Sequence, residues 1–240
     1  MKEPHYDPGR LPEHIGIIMD GNGRWARNHG KPRSFGHKEG LTAVKRVVKA
    51  ASDIGIKFLT LYIFSTENWK RTAGEVSFLM QLILVHLRTE FNFYRNNNIK
   101  VIHSGDKQGL KPEIRKEIDS VIYDTKGFDG LTINLAINYG GRDEIIRSIN
   151  RWLKKQSHDS GISSIDEEII SANLDCRDIP DPDIIIRTSG EQRLSNFLLW
   201  ESAYSELYFS EKLWPDWDRI DLIRSISEFQ KRKRKFGGIK

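Results

Sequence analysis

Short apolar runs alternate with longer helical patterns along this chain. That alternation predicts an α/β protein built on a mostly parallel sheet surrounded by helices. Ile15–Met19 and Phe58–Phe64 have the length and composition of buried strands, and Ile184–Ile186 is short and fully apolar. With 38% hydrophobic and 30% charged residues in 240, the chain suits one domain, residues 1–240, with a sizeable core.

Residues 1–12 hold three prolines and read as an irregular arm. Ile15–Met19 is the first strand, closed by Asp20 and a glycine turn. From Gly36 to Ile54 the positions Leu41, Val44, Val47, Val48, Ala51 and Ile54 recur at helical spacing, and Gly55 supplies the stop. Phe58–Phe64 (FLTLYIF) is the second strand. Glu75 to about Asn96 reads as one long helix, apolar on more than one face over Val76–Leu87. Ile99–His103, Leu131–Ile137 (LTINLAI), Ile184–Ile186 and Leu207–Phe209 complete six strands. The remaining helices are Pro112–Thr125, Asp143–Lys155, a short Asp166–Leu174 with an acidic first turn, and Asp218–Lys235 with a basic end. Residues 156–164 read as a polar loop.

Composition excludes several classes. A net charge of +5, from 38 basic and 33 acidic residues, is too small to announce nucleic-acid binding, although it welcomes anionic ligands. Cys176 is the single cysteine, so an internal disulfide and a multi-cysteine zinc site are both ruled out. The opening MKEPHYDPGR has no apolar signal region, and no apolar run approaches membrane-spanning length. The expectation is a soluble, intracellular protein.

Ligands of parallel sheets bind beyond the carboxyl ends of the strands. That places four loops on one rim, after Met19, Phe64, Ile137 and Ile186. In the first, Gly21-Asn22-Gly23 offers backbone N–H groups to phosphate oxygens, and Arg24 adds a bidentate donor. Asp20 would repel such a ligand unless a cation lay between them, which points to Mg²⁺ near Asp20. The turn is neither of the standard nucleotide loops: no lysine-serine or lysine-threonine pair closes it, and a third glycine is missing. An ordinary strand-to-helix turn with an exposed arginine is the plain alternative. The second loop, Ser65-Thr66-Glu67-Asn68-Trp69-Lys70-Arg71, and the fourth, Arg187 to Ser195, also carry arginines, and Arg33 and His37 follow the first. Three arginine-bearing loops on one rim imply more phosphate than one monophosphate supplies.

With these residues in view, the chain resembles the cis-prenyltransferases, in particular the bacterial undecaprenyl diphosphate synthase (isoprenyl transferase) group. The resemblance rests on HIGIIMDGNGRWAR, GHKEG, TLYIFSTENWKR, NYGGR, IIIRTSGEQRLSNFLLW and SELYFSEKLWPDW, in family order from residue 14 to 217. It implies a six-stranded, mostly parallel sheet, a homodimer, and repeated cis condensation of isopentenyl diphosphate onto an allylic diphosphate such as farnesyl diphosphate. By the same resemblance, Asp20 is the Mg²⁺ carboxylate assisting departure of the allylic diphosphate. Gly21, Asn22, Gly23, Arg24 and Trp25 hold that diphosphate, with Arg33 and His37 beside it. Ser65, Thr66, Glu67, Trp69 and Arg71 line the shared substrate region, and Asn68 stands where the family places a proton acceptor. Arg187, Arg193, Leu194 and Ser195 grip isopentenyl diphosphate, and Glu206 is a second metal ligand, contributed near a partner subunit's site. Gln192 departs from members that carry histidine there, so no imidazole role carries over.

The apolar stretch Val76–Leu87 is a core helix on general grounds and the wall of a polyprenyl tunnel by resemblance; Gln81 and His86 interrupt it. His103 and His158 read as surface or strand-end residues, and Trp214 and Trp217 as packing at a subunit interface or sheet edge. The run Lys231–Lys235 reads as a solvated helix end, or a peripheral contact with anionic membrane lipid near which the product is needed. Rivals are a shorter-chain cis-prenyl synthase, a non-catalytic prenyl-diphosphate-binding subunit and, a poor third, an RNA binder.

Overall fold

The computed structural model describes residues 4–155 and 164–233. Six strands, β1 (His14–Ile18), β2 (Phe58–Ser65), β3 (Lys100–Ser104), β4 (Thr132–Tyr139), β5 (Ile184–Arg187) and β6 (Glu206–Phe209), form one sheet in the order β3-β4-β2-β1-β5-β6. Every pairing is parallel. β1 and β5 are buried at every position, which explains their unbroken apolar runs. A buried polar row fixes the register: His14 Nε2 lies 2.7 Å from Thr60 Oγ1, Asn134 Nδ2 donates to that hydroxyl, and Ser104 Oγ donates to Asn134 Oδ1 at 3.0 Å. A one-residue slip of any of these strands would break the row and expose its members to an apolar face.

The helices are α1 (Asn22–Asn28), α2 (Arg33–Ile54), α3 (Ala73–Thr89), α4 (Phe91–Asn96), α5 (Pro112–Thr125), α6 (Gly141–Lys155), α7 (Glu167–Ser171) and α8 (Arg219–Gln230). The large core lies on one face of the sheet, where α2, α3, α5 and α8 pack on Ile15, Ile17, Leu59, Leu61 and Ile133. A smaller apolar cluster on the other face gathers Ile18, Ala136, Tyr139, Ile185, Phe197 and Leu198. Gly16 makes this possible, since a Cβ there would lie 2.6 Å from Ile185 Cδ1 and 3.1 Å from the Phe197 ring.

One helix was not expected and three expectations need correcting. α1 has no counterpart in the sequence pattern, because only Ala26 of its seven residues is buried and no apolar period marks it. The helix expected from Glu75 to about Asn96 is two helices that break at Glu90, whose buried carboxylate meets Lys45 Nζ at 2.6 Å. Trp214 and Trp217 do not lie at a surface where a partner subunit could cover them, and Trp217 Nε1 donates to Ser210 Oγ just after the edge strand β6. Both are fully buried, Trp214 Nε1 donating to Gly40 O on α2. α8 ends at Gln230 rather than Lys235; Lys231 to Lys233 follow it, and positions 234 and 235 of the basic run lie outside the described residues. His158 and positions 156–163 of the expected loop lie outside them too. His103 is half-buried at a strand end, with Nε2 3.0 Å from Ile137 O.

Candidate active site

β1 and β5 are neighbours whose chains leave in opposite directions, β1 toward β2 and β5 toward β6. The crevice between their carboxyl ends is the switch point where such sheets bind ligands. Asp20 and Arg187 meet there, Arg187 Nη2 donating to Asp20 Oδ2 at 2.9 Å. Asp20 Oδ1 also accepts the Gly21 N–H at 2.7 Å. Gly21 has φ 108°, a left-handed turn that lets α1 start at Asn22. Arg187 is almost fully buried, and both of its terminal nitrogens are bonded. Its Nη1 donates to Arg193 O and Ser195 Oγ, both at 2.6 Å, while its Nε has no partner.

Two groups of arginines flank this centre. Glu75 collects Arg33 Nε at 3.2 Å and Arg71 Nη1 at 2.8 Å, with His37 Nε2 at 3.8 Å. Burial, with Arg33 and Arg71 alongside, lowers the His37 pKa to about 4, so the ring is neutral near pH 7. On the other flank Glu191 pairs with Arg193 and, at 3.3 Å, with Arg24, whose Nη2 also donates to Ser189 Oγ at 2.5 Å. The resulting cleft has two compartments joined at Asp20, Gly21 and Gly23. One is walled by His37, Ser65, Asn68, Arg71, Arg187 and Ser195, the other by Arg24, Arg27, Lys31, Glu191 and Arg193, and Arg33 borders both.

Beneath the first compartment lies an apolar cavity of about 100 Å³ between α2, α3 and the sheet. Met19, Asn22, His37, Tyr62, Ile63 and Leu79 are walls of both. The far end of the cavity, past Ile83, is different. His86, Lys45 and Tyr94 replace aliphatic walls there, beside Glu90.

Several expected residues stand outside these walls. Trp25 points away, its Nε1 donating to Asp216 Oδ1 at 2.7 Å. Trp69 is held by Asn138 Oδ1 at 2.7 Å, Thr66 lies against Gly140, and Leu194 packs beside the smaller apolar cluster. Glu206 is the first residue of β6, paired with Ile184. That is the opposite end of the strands from Asp20, and Arg232 Nη1 occupies its carboxylate at 2.6 Å. Asn68 Oδ1 already accepts the Ser65 N–H at 3.1 Å. Sequence reasoning misses Glu75, which reads only as a helix start, and the asparagines Asn138 and Asn196. The two glycines of NYGGR are the available signal, since each marks a close approach by a neighbouring chain segment.

On the other face of the sheet, Glu144, Cys176 and Glu201 are buried with their ligand-type atoms within 4.8 Å of one another. Tyr139 OH donates to Glu144 and Cys176 Sγ to Glu201 Oε1. Burial and the neighbouring Glu201 and Asp175 carboxylates push the Glu144 pKa up to about 9. Burial raises that of Glu201 as well. Two carboxyls so placed hold a proton between them near neutral pH.

Residues 18–237 match the family model described as "Putative undecaprenyl diphosphate synthase". The isoprenyl transferase of Treponema denticola is 55% identical over 225 residues, 94% of this chain and 97% of that protein. The isoprenyl transferase of Thermotoga maritima is 49% identical over 96% of this chain and 98% of its own. Among solved structures, lavandulyl diphosphate synthase from Lavandula x intermedia, in complex with dimethylallyl diphosphate, superposes with a TM-score of 0.90 at 34% identity, covering 95% of this chain and 99% of that one. A probable undecaprenyl diphosphate synthase from Campylobacter jejuni gives a TM-score of 0.80 at 35% identity, with the same coverage. The chain therefore belongs to the undecaprenyl diphosphate synthase family of prenyl transferases.

Proposed function

We propose that this chain is a Mg²⁺-dependent cis-prenyltransferase, acting as one catalytic domain. It adds isopentenyl diphosphate repeatedly to an allylic diphosphate, farnesyl diphosphate first, and yields a long polyprenyl diphosphate. Undecaprenyl diphosphate, a lipid-carrier precursor for cell-wall synthesis, is the product we favour. The observation that carries this reading is the stacking of an arginine-lined cleft directly on an apolar cavity with shared walls. Charged head and greasy tail of one substrate would each meet matching surroundings.

In this reading Gly21, Asn22, Gly23, Arg24, Arg33 and His37 receive the allylic diphosphate, and Arg187, Arg193 and Ser195 receive isopentenyl diphosphate. Breaking the allylic C–O bond leaves a carbocation and a diphosphate whose growing charge the arginines stabilise without offering a nucleophile to trap the cation. Asp20 would hold Mg²⁺, and a single half-exposed carboxylate beside a diphosphate cleft fits an ion that binds through few protein ligands and substrate phosphates. When bound, the ion supplies further neutralisation of the leaving group. Because the Asn68 oxygen is committed to Ser65 and an amide is a poor base, the departing proton goes to pyrophosphate or water rather than to Asn68. Glu206 would reach a metal only through a second copy of the chain. A homodimer through the second face is supported by the exposed Ile146, Leu153 and Tyr204. No helix among the described residues is long and apolar enough to cross a membrane. We place the enzyme in the cytoplasm, touching the inner membrane face through its basic end.

A shorter product is the second reading. It is favoured by the small cavity and by the likeness to lavandulyl diphosphate synthase, a protein solved with dimethylallyl diphosphate. Purified protein, Mg²⁺, farnesyl diphosphate and radiolabelled isopentenyl diphosphate, with products sized by chromatography, decide the matter. A C55 product supports the first reading and a short ladder the second. No extension from any allylic primer would favour a non-catalytic prenyl-diphosphate-binding subunit.

A further inference from the structure

Resting on the reading of two diphosphate half-sites, we infer that Asn196 is a positioning residue that holds the loop after β2 in register with the loop after β5, acting through Glu67. Asn196 Nδ2 donates to Glu67 Oε1 at 2.7 Å. Its Oδ1 accepts the Arg142 N–H at 2.9 Å, and its carbonyl accepts the Gly141 N–H at 2.7 Å. One side chain and one peptide thus tie the Glu67 loop, the start of α6 and the segment carrying Arg193 and Ser195.

The surroundings are shaped around this residue. A Cβ at Gly140 would fall 2.6 Å from both Asn196 Nδ2 and Thr66 Oγ1, and one at Gly141 would fall 2.8 Å from Leu199 Cγ. Both glycines of NYGGR therefore admit the Asn196 segment. That segment is also strained: Ser195, Asn196 and Leu198 have φ of 48°, 65° and 43°. Asparagine tolerates such a backbone, and the fully buried Phe197 and Leu198 hold the rest of it in place against Tyr62 and Tyr139. Asn196 lines the cleft beside Ser195, which accepts from Arg187 Nη1 at 2.6 Å. Burial would raise the Glu67 pKa, but hydrogen bonds including that from Asn196 hold it below the usual range, so the link is charge-assisted. Loosening it lets Arg187 and Ser195 drift from Asn68 and Arg71, and small misplacements of reacting groups are costly.

Asn196→Asp isolates this link, because aspartate keeps an acceptor for the Arg142 N–H and tolerates the left-handed backbone, yet turns the Glu67 contact into repulsion. We expect kcat/KM for isopentenyl diphosphate addition to fall roughly tenfold or more, as for loss of a hydrogen bond to a charged group, with the circular dichroism spectrum unchanged. Adding Glu67→Gln supplies an amide donor to the new carboxylate. It should restore kcat/KM toward that of the Glu67→Gln variant alone, with the melting temperatures of the single and double variants alike, so that the coupling lies in catalysis rather than in stability. Wild-type kcat/KM in Asn196→Asp, or no recovery in the double variant, overturns the inference. Calorimetry with inorganic pyrophosphate and Mg²⁺ reads the same coupling without turnover. Coupled binding in a wild type that extends no prenyl chain would overturn the proposed function and leave the inference standing.

Discussion

The cleft and the cavity beneath it share walls but are specified in opposite ways. In the cleft, Arg187 is fixed by Asp20, Arg193 O and Ser195, and Glu75 holds Arg33 and Arg71. These are directional bonds, so each residue type matters and a substitution should act locally. The cavity is held by packing of Leu79, Ile83 and Leu87 on the sheet, where many apolar side chains would serve. Away from the cleft it has a polar end at His86 and Lys45, the lysine paired with Glu90. If the proposed function holds, chemistry and product size would reside in separable parts of the molecule.

The largest effect that would sharpen this division is expected at Asp20. Asp20→Ala should lower kcat on the order of a hundredfold or more, through lost stabilisation of leaving-group charge, with product length unchanged in what little forms. Near wild-type turnover would remove Asp20 from the chemistry. Arg193→Ala should raise the apparent KM for isopentenyl diphosphate by roughly tenfold, and an effect confined to farnesyl diphosphate would exchange the two half-sites. In the cavity, His86→Leu should lengthen the products while kcat/KM for the first addition stays within about twofold, since it removes a polar stop and touches no diphosphate contact. An unchanged ladder with a slower first step would break the comparison.

The smallest effect on catalysis is expected outside both regions, at Glu144. Its folded pKa of about 9 stands above the ordinary 4.5, so the native state holds a proton that the unfolded chain releases. The stability this contributes is complete below pH 4.5 and is lost as pH rises to about 9. Glu144→Gln should flatten that decline in melting temperature across the same window and leave product length alone. His14 and His103, lowered to about 4 chiefly by burial, act in the other direction. Their stability is present above the ordinary histidine value and is lost as pH falls toward 4. Melting curves of the wild type across that range test both signs.

Much of the sheet was legible because its strands are apolar runs with sharp ends, as at Ile15–Met19 and Phe58–Phe64. The arginines were legible as a set because three loops of one rim carried them. What the sequence hides depends on contacts between distant segments. The break at Glu90 sits in an apolar pattern, and the contact its carboxylate makes there is with Lys45 on α2, distant in sequence. α1 buries too little to leave a period. Asn196 looks like one polar residue before an apolar run, and nothing local relates it to Glu67, 129 positions away.

The chain's only cysteine is the feature with the most practical consequence. Cys176 is buried, donates to Glu201 Oε1 at 3.1 Å, and has its thiol pushed well above the usual range by burial and the neighbouring carboxylates. Since the thiolate is the reactive form, the native protein should be silent toward alkylating reagents. Labelling would then proceed only when this side of the sheet opens, so its rate is a built-in clock for local unfolding.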